Sequence, residues 1–239
     1  IKIASKIIKK IKPAFSLIKT NLLKNAKIAS SLDFRSESEF SNYPEFALKA
    51  ALDPKIFSIF RRHHEYVNIV ETVSQEQGEK YLEIIRYEYK LSIKEILEII
   101  DPLQKTGQPN LISINGLPKR VSSVALRYLK TALDIKELIG KDTIDNVVEI
   151  GCGFGGQAVI LDKVCKIKNY TFLDLWQVNL LIKRFIENSS FSSKYIISTL
   201  REFQNKIDHF DLVISNYAFS ELPYQLQEKY FDEIISNSK

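Results

Sequence analysis

Apolar residues recur every three or four positions through the first hundred residues. After residue 140 they gather into short runs, so the hydrophobic pattern divides the chain in two. The stretch EKYLEIIRYEYKLSIKEILEII (79–100) keeps the helical period, and Asp101-Pro102 predicts its end. KTGQPNLISINGLPKR (105–120) collects Gly107, Pro109, Gly116 and Pro118 into a connector, which places a boundary near residue 115. A further helix is predicted from a cap at Ser122 or Ser123 to about Ile139, with Gly140 as its C-terminal stop. Beyond it NVVEI, YTFLDL, KYIIS and DLVIS are β-rich runs, separated by the helical stretches GGQAVILDKV and WQVNLLIKRFIENS. Strands alternating with helices predict a parallel sheet of right-handed βαβ units. The expected class is α/β: a Rossmann-like parallel sheet in residues 116–239, preceded by an α-helical region, 1–115.

Charge sharpens this division. The chain of 239 residues carries a formal +5, but residues 1–30 hold eight lysines and no acid. The rest has 26 basic against 29 acidic side chains, so the basic character belongs to one end. IKIASKIIKKIK (1–12) sets Ile1, Ala4, Ile7, Ile8 and Ile11 at helical spacing among lysines. It reads as a helix packed on its own protein with a solvated lysine face. The other reading is weak association with an acidic membrane surface or nucleic acid. Lysines interrupt it too often for a signal-peptide core, and no apolar run reaches the roughly 18 residues of a membrane span. The slightly acidic body gives no reason to expect nucleic acid as a partner. Cys152 and Cys165 are too few and too oddly spaced for a disulfide framework or a zinc site. His63, His64 and His209 show no metal-ligand spacing. A reducing, cytoplasmic setting and metal-independent chemistry are expected. FRRHHEYVN (60–68) concentrates charge, which suits a solvated helical face or part of a substrate-binding lid.

VVEIGCGFGGQAVILDK (147–163) holds four of the chain's eight glycines. Gly151, Gly153 and Gly156 satisfy G-x-G-x-x-G, and Gly155 supplies G-x-G-x-G. The loop follows a strand and opens a helix. Asp174 lies 23 residues beyond Gly151 at the end of the next strand, placed to accept hydrogen bonds from ribose hydroxyls. Four glycines in six positions carry a large entropic cost for a turn that binds nothing. Two ligands suit the loop. A nicotinamide dinucleotide would bring a pyrophosphate to the helix N-terminus, where the carboxylate of Glu149 would repel it. S-adenosylmethionine brings an ammonium and a sulfonium, which Glu149 would attract. Glu149 therefore favours S-adenosylmethionine.

VVEIGCGFGGQ, YTFLDL and FDLVISNYAFSEL together resemble class I S-adenosylmethionine-dependent methyltransferases. More narrowly, they resemble the sugar O-methyltransferase family of bacterial surface-polysaccharide clusters. The serine-started helix SSVALRYLKTALDIKELIG (122–140) is similar to one that precedes the glycine loop in that family, and SNYAFSEL to its most distinctive motif. The resemblance spans roughly residues 110–235. It implies that Glu149, Gly151, Gly153 and Gly155 form the cofactor loop and that Asp174 holds the ribose. It also implies that Arg127 or Tyr128 meets the cofactor carboxylate, and that Asn216 and Tyr217 line the cleft beside the sulfonium. The sequence departs from the family pattern at Trp176, where a smaller residue is expected, and in STLREF (198–203), which lacks an aspartate for the adenine amino group.

Methyl transfer to a hydroxyl needs alignment and a proton acceptor at the C-terminal edge of the sheet. Glu221, six residues past the fourth strand, is the candidate base; the alternative is a glutamate serving a helix start. His209 precedes that strand and belongs at the opposite edge. The resemblance implies a sugar hydroxyl of a saccharide or surface glycan as acceptor. Alternatives are another small molecule or RNA as substrate, or a non-catalytic module in a glycan-assembly protein. The family's sheet has seven strands, whereas four are read here. The expected sheet is therefore ordered 3-2-1-4 with its C-terminal strands missing, and DLVIS (211–215) as an exposed edge.

Overall fold

The computed structural model describes residues 41–203 and 209–238. The amphipathic reading of residues 1–12 lies outside them. The described residues fall within one compact unit.

The helical region holds α1 (Tyr43–Leu52), α2 (Pro54–Ile59), α3 (His64–Val67), α4 (Gln75–Tyr87), α5 (Ile93–Ile100) and α6 (Pro102–Lys105). The periodic stretch 79–100 is two helices rather than one. Ser92 accepts from the Glu95 amide while the Glu95 carboxylate accepts from the Ser92 amide, a capping box that restarts the chain after Lys90 at φ 56°. Helix α7 (Ser123–Ile139) ends at Gly140, whose φ of 62° closes it as expected. Ser122 is its N-cap by position, but its hydroxyl accepts from Arg61 and caps nothing.

The second half is β1 (Thr143–Ile150), α8 (Gly156–Val164), β2 (Lys166–Leu173), α9 (Trp176–Glu187), β3 (Lys194–Ser198), β4 (Leu212–Ile214) and α10 (Tyr224–Glu233). All pairings are parallel, in the order β3-β2-β1-β4. This is the Rossmann-like arrangement expected. On the outer side of β4, the Phe210 amide donates to the Asn237 carbonyl at 3.3 Å, and Phe210 bridges Ser238 in parallel. That edge is therefore engaged at one position.

Both sheet faces are covered. Val148, Ile150, Leu173 and Phe210 pack with Tyr230 and Ile234 around α10 on one side. Val147, Tyr170 and Phe172 join α7, α8 and α9 on the other, in a core that continues into the helices before residue 105. Arg184 of α9 donates to the carbonyls of Ala50 and Ala51 (3.3 and 2.8 Å), tying the free end of α1 to the α/β half.

The segment 60–68 departs most from its sequence reading. Phe60, Arg61 and Tyr66 are fully buried, not spread on a solvated face. The Arg61 side chain donates to Glu71 (2.5 Å), the Leu103 carbonyl (2.5 Å) and Ser122 (3.3 Å). Its guanidinium lies 4.7 Å over the ring of Phe154, inside the glycine loop. A hydrogen bond from each of its three nitrogens and the Glu71 carboxylate make a charge tolerable there. Among the described residues no helix is long and apolar enough to cross a membrane.

Candidate cofactor and acceptor site

The glycine loop leaves β1 at its C-terminal end. Gly151 has φ 72°, donates its amide to the Leu173 carbonyl at 2.9 Å, and passes so close to the post-β4 segment that a Cβ would stand 2.1 Å from that of Ala218. Gly153 has φ 61°, and its added Cβ would meet only Val70 at 3.6 Å. Bareness at Gly151 thus serves packing as well as conformation, whereas at Gly153 the surface stays open under a roof from the helical region. Gly155, at φ 86°, starts α8 against Phe172 and Ile186.

Two carboxylates gather at this edge. Glu149 is 1% exposed, on the face of β1 that carries Val147, and accepts a 2.7 Å hydrogen bond from the Tyr170 hydroxyl. Asp174, half-buried at the end of β2, accepts from the amides of Leu175 (2.7 Å) and Gly153 (3.1 Å). Burial pushes the Glu149 carboxyl up to about 8, with the Tyr170 hydrogen bond opposing and the Asp174 charge adding to the rise. Burial likewise lifts Asp174 to about 7 against its amide donors. No lysine or arginine among the described residues pairs with either. Two acids brought together without a protein cation form a site that stabilises an incoming positive charge and repels a phosphate.

This environment predicts a pH effect. An acid whose folded pKa lies above its unfolded value binds more protons in the folded state, so its contribution is complete below about pH 4 and is lost as pH rises through the folded value. For Glu149 the span corresponds to on the order of 4 kcal/mol. The ligand-free protein should therefore melt lower at pH 8 than at pH 5, and Glu149→Gln should flatten that profile. Thermal scans showing parallel profiles for the two proteins would remove Glu149 as the cause.

The remaining expected residues lie around the end of β4. Asn216 donates to Gln157 at 3.4 Å, and Gln157, fully buried, donates to the Tyr128 carbonyl at 3.1 Å. Gln157 therefore links α7, α8 and the post-β4 segment; sequence reasoning gave it no role. Tyr217 is held at φ 75° with its ring 64% exposed. Arg127 faces a cavity of about 640 Å³ with Tyr81, Lys130, Asp134, Asn216 and Tyr217. Tyr128 instead packs toward Phe154. Glu221 ends the turn Ala218–Glu221 and is exposed; Phe219 and Ser220 before it line the cavity. Trp176 is half-buried in the first turn of α9. His209 sits by Asn146, away from the loop end of β1, as expected.

Three further residues had no sequence signal. Tyr43, Tyr66 and Val70 come from the helical region to the loop: the Tyr66 ring packs on Phe154, and its buried hydroxyl has no hydrogen-bond partner. Tyr43 feels the Asp174 charge, which adds to the larger effect of burial in raising its hydroxyl.

Residues 148–236 match the family described as a methyltransferase domain. The match covers this part of the chain only, and S-adenosylmethionine is the cofactor that it indicates. A comparison with curated proteins gives no match. Among solved structures, an S-adenosylmethionine-dependent methyltransferase from Clostridium acetobutylicum is similar at 14% identity over 74% of this chain, with a TM-score of 0.35. The chain spans about half of that protein, 51% of its length. An O-methyltransferase from Bacillus cereus is similar at 15% identity over 70% of this chain and 71% of that one, TM-score 0.40. A protein-L-isoaspartate O-methyltransferase is similar at 16% identity over 70% and 52%, TM-score 0.39.

Proposed function

We propose that the protein is an S-adenosylmethionine-dependent O-methyltransferase that methylates a sugar hydroxyl of a saccharide or surface glycan in the cytoplasm. The observation that carries the cofactor half of this reading is the Glu149–Asp174 pair, two carboxyl groups that no cation among the described residues compensates. The acceptor half rests on the similarity of SNYAFSEL to the sugar O-methyltransferase motif.

When bound, the cofactor would supply a methyl group activated by its sulfonium, which the acceptor oxygen would take in line as the carbon–sulfur bond breaks and the thioether leaves. Asp174 has lone pairs left to accept from ribose hydroxyls. Glu149 favours the positive end of the cofactor, and Gly153 leaves the backbone open to it. The helices before residue 105 act as the lid, with Tyr43, Tyr66 and Val70 over the loop. Alignment by such a frame supplies much of the rate, because the reacting carbon is already activated.

Calorimetric titration with S-adenosylmethionine tests the cofactor site. Asp174→Ala should weaken binding by about 1.5–3 kcal/mol, the range for hydrogen bonds to a charged group. Unchanged affinity in a folded variant would remove Asp174 from the site. For the proton, Glu221 is the exposed carboxylate past the end of β4. Glu221→Gln should slow turnover about 10²–10⁴-fold with cofactor affinity intact. A fall of less than tenfold would mean that the proton leaves through water.

A further inference from the structure

The cavity beside β4 carries a positive charge with which no described carboxylate pairs. Arg127 stands on α7, with its guanidinium 5.2 Å from the Tyr128 ring centre and 5.6 Å from that of Tyr217. Its Nε is enclosed and has no hydrogen-bond partner, and no described carboxylate pairs with it. The other charged groups lining the cavity satisfy each other. Lys130 meets Asp134 at 2.5 Å, and Asp134 also accepts from the Tyr89 hydroxyl. The cavity therefore keeps one net positive charge, on Arg127.

Tyr217 adds an independent sign. A non-glycine residue at φ 75° is strained, and such strain concentrates at ligand clamps. The strained backbone sets a largely exposed phenol against the guanidinium, where it has no other described ring or hydrogen-bond partner. An enclosed N–H left unpaired is costly, and the cost is relieved when an anion arrives. The planar fork of a guanidinium matches a carboxylate, and rings on its flanks fix the plane in which that carboxylate must lie. The phenol faces of Tyr81 and Tyr217 offer apolar surface with a polar rim, suited to the C–H face of a pyranose.

We propose that this cavity is the acceptor subsite, and that Arg127, clamped by Tyr128 and Tyr217, holds a carboxylate of the acceptor, so that the substrate is an acidic saccharide containing a hexuronic acid. This rests on the proposed sugar methylation. It reassigns Arg127 from the cofactor carboxylate, because Gly151, Gly153 and Asp174 do not line the cavity that Arg127 faces.

The test is calorimetric titration of the protein, saturated with S-adenosylhomocysteine, with a trimer of galacturonic acid and with its carboxyl-reduced neutral counterpart. The acidic trimer should bind at least about tenfold more tightly, a modest return for one charge-assisted bidentate pair. Arg127→Gln should abolish the difference, and Arg127→Lys, which keeps the charge and loses the fork, should retain part of it. Both variants should bind S-adenosylhomocysteine as the parent does, which also shows that they are folded. Equal binding of the two trimers, or binding of neither, overturns the proposal. So does a tenfold loss of S-adenosylhomocysteine affinity in Arg127→Gln, since the anion is then the cofactor's own. In a separate incubation with methyl-labelled S-adenosylmethionine, an acidic trimer that binds through Arg127 but takes no label refutes the proposed function and leaves the carboxylate site standing.

Discussion

Gly153→Val should abolish detectable S-adenosylmethionine binding while leaving the protein folded. The position has φ 61°, a region where an L side chain is strained and a β-branched one more so. An added Cβ would meet no backbone, only Val70 at 3.6 Å, so the fold can accommodate the change. The extra methyl groups would instead fill the space between the loop and its roof, where the cofactor has to approach. Gly151 makes the opposite case. Its missing Cβ is enforced by Ala218 at 2.1 Å, so Gly151→Val should damage the fold before it can report on binding. Calorimetry and thermal melts on the two variants separate these outcomes. Normal cofactor affinity in Gly153→Val would mean that the ligand lies elsewhere.

Glu71→Gln should destabilise the protein by about 3–5 kcal/mol, the effect of leaving one partner of a buried ion pair uncompensated. Arg61 is fully buried, and Glu71 is its only carboxylate among the described residues. The damage should not stay in the helical region. Arg61 stacks on Phe154 inside the glycine loop, and Glu71 follows Val70, which roofs Gly153. Cofactor affinity should therefore fall along with the melting temperature, although neither residue is expected to touch the ligand. Replacing the pair together, Arg61→Met with Glu71→Leu, should recover much of the stability, since an apolar pair of similar volume often equals or exceeds an ion pair in a dry site. Denaturant titrations of the single and double variants measure this. Full additivity of the two single effects would show that the side chains do not act as a unit.

The α/β half was legible because its signals are local. A strand, a tight turn needing positive φ, and a helix start follow one another within VVEIGCGFGGQAVILDK, and each is specified by a residue's own backbone preference. Gly140 stops its helix for the same reason. The strand order β3-β2-β1-β4 was expected from the family resemblance, since local signals do not say which edge the fourth strand joins. The division of 79–100 into two helices was written in Ser92 and Glu95, three residues apart, but the unbroken apolar period masked it.

Tertiary structure alone decided what long-range contacts decide. Charge in FRRHHEYVN implies solvent by composition, yet Arg61 goes inside because Glu71, Leu103 and Ser122, up to 61 residues away, meet its donors. The contact of Arg127 with the strained Tyr217 likewise arises only when α7 and the post-β4 segment are brought together, whereas Lys130 and Asp134 pair locally, four residues apart in one helix. Sequence placed Glu149 and Asp174 at the ends of neighbouring strands. Only the fold, by burying them, turned them into carboxyls that titrate near neutral pH. Backbone preference acts within a few residues and can be read along the chain. Desolvation and charge compensation depend on which distant groups arrive together, and the packing of the helices on the sheet sets that.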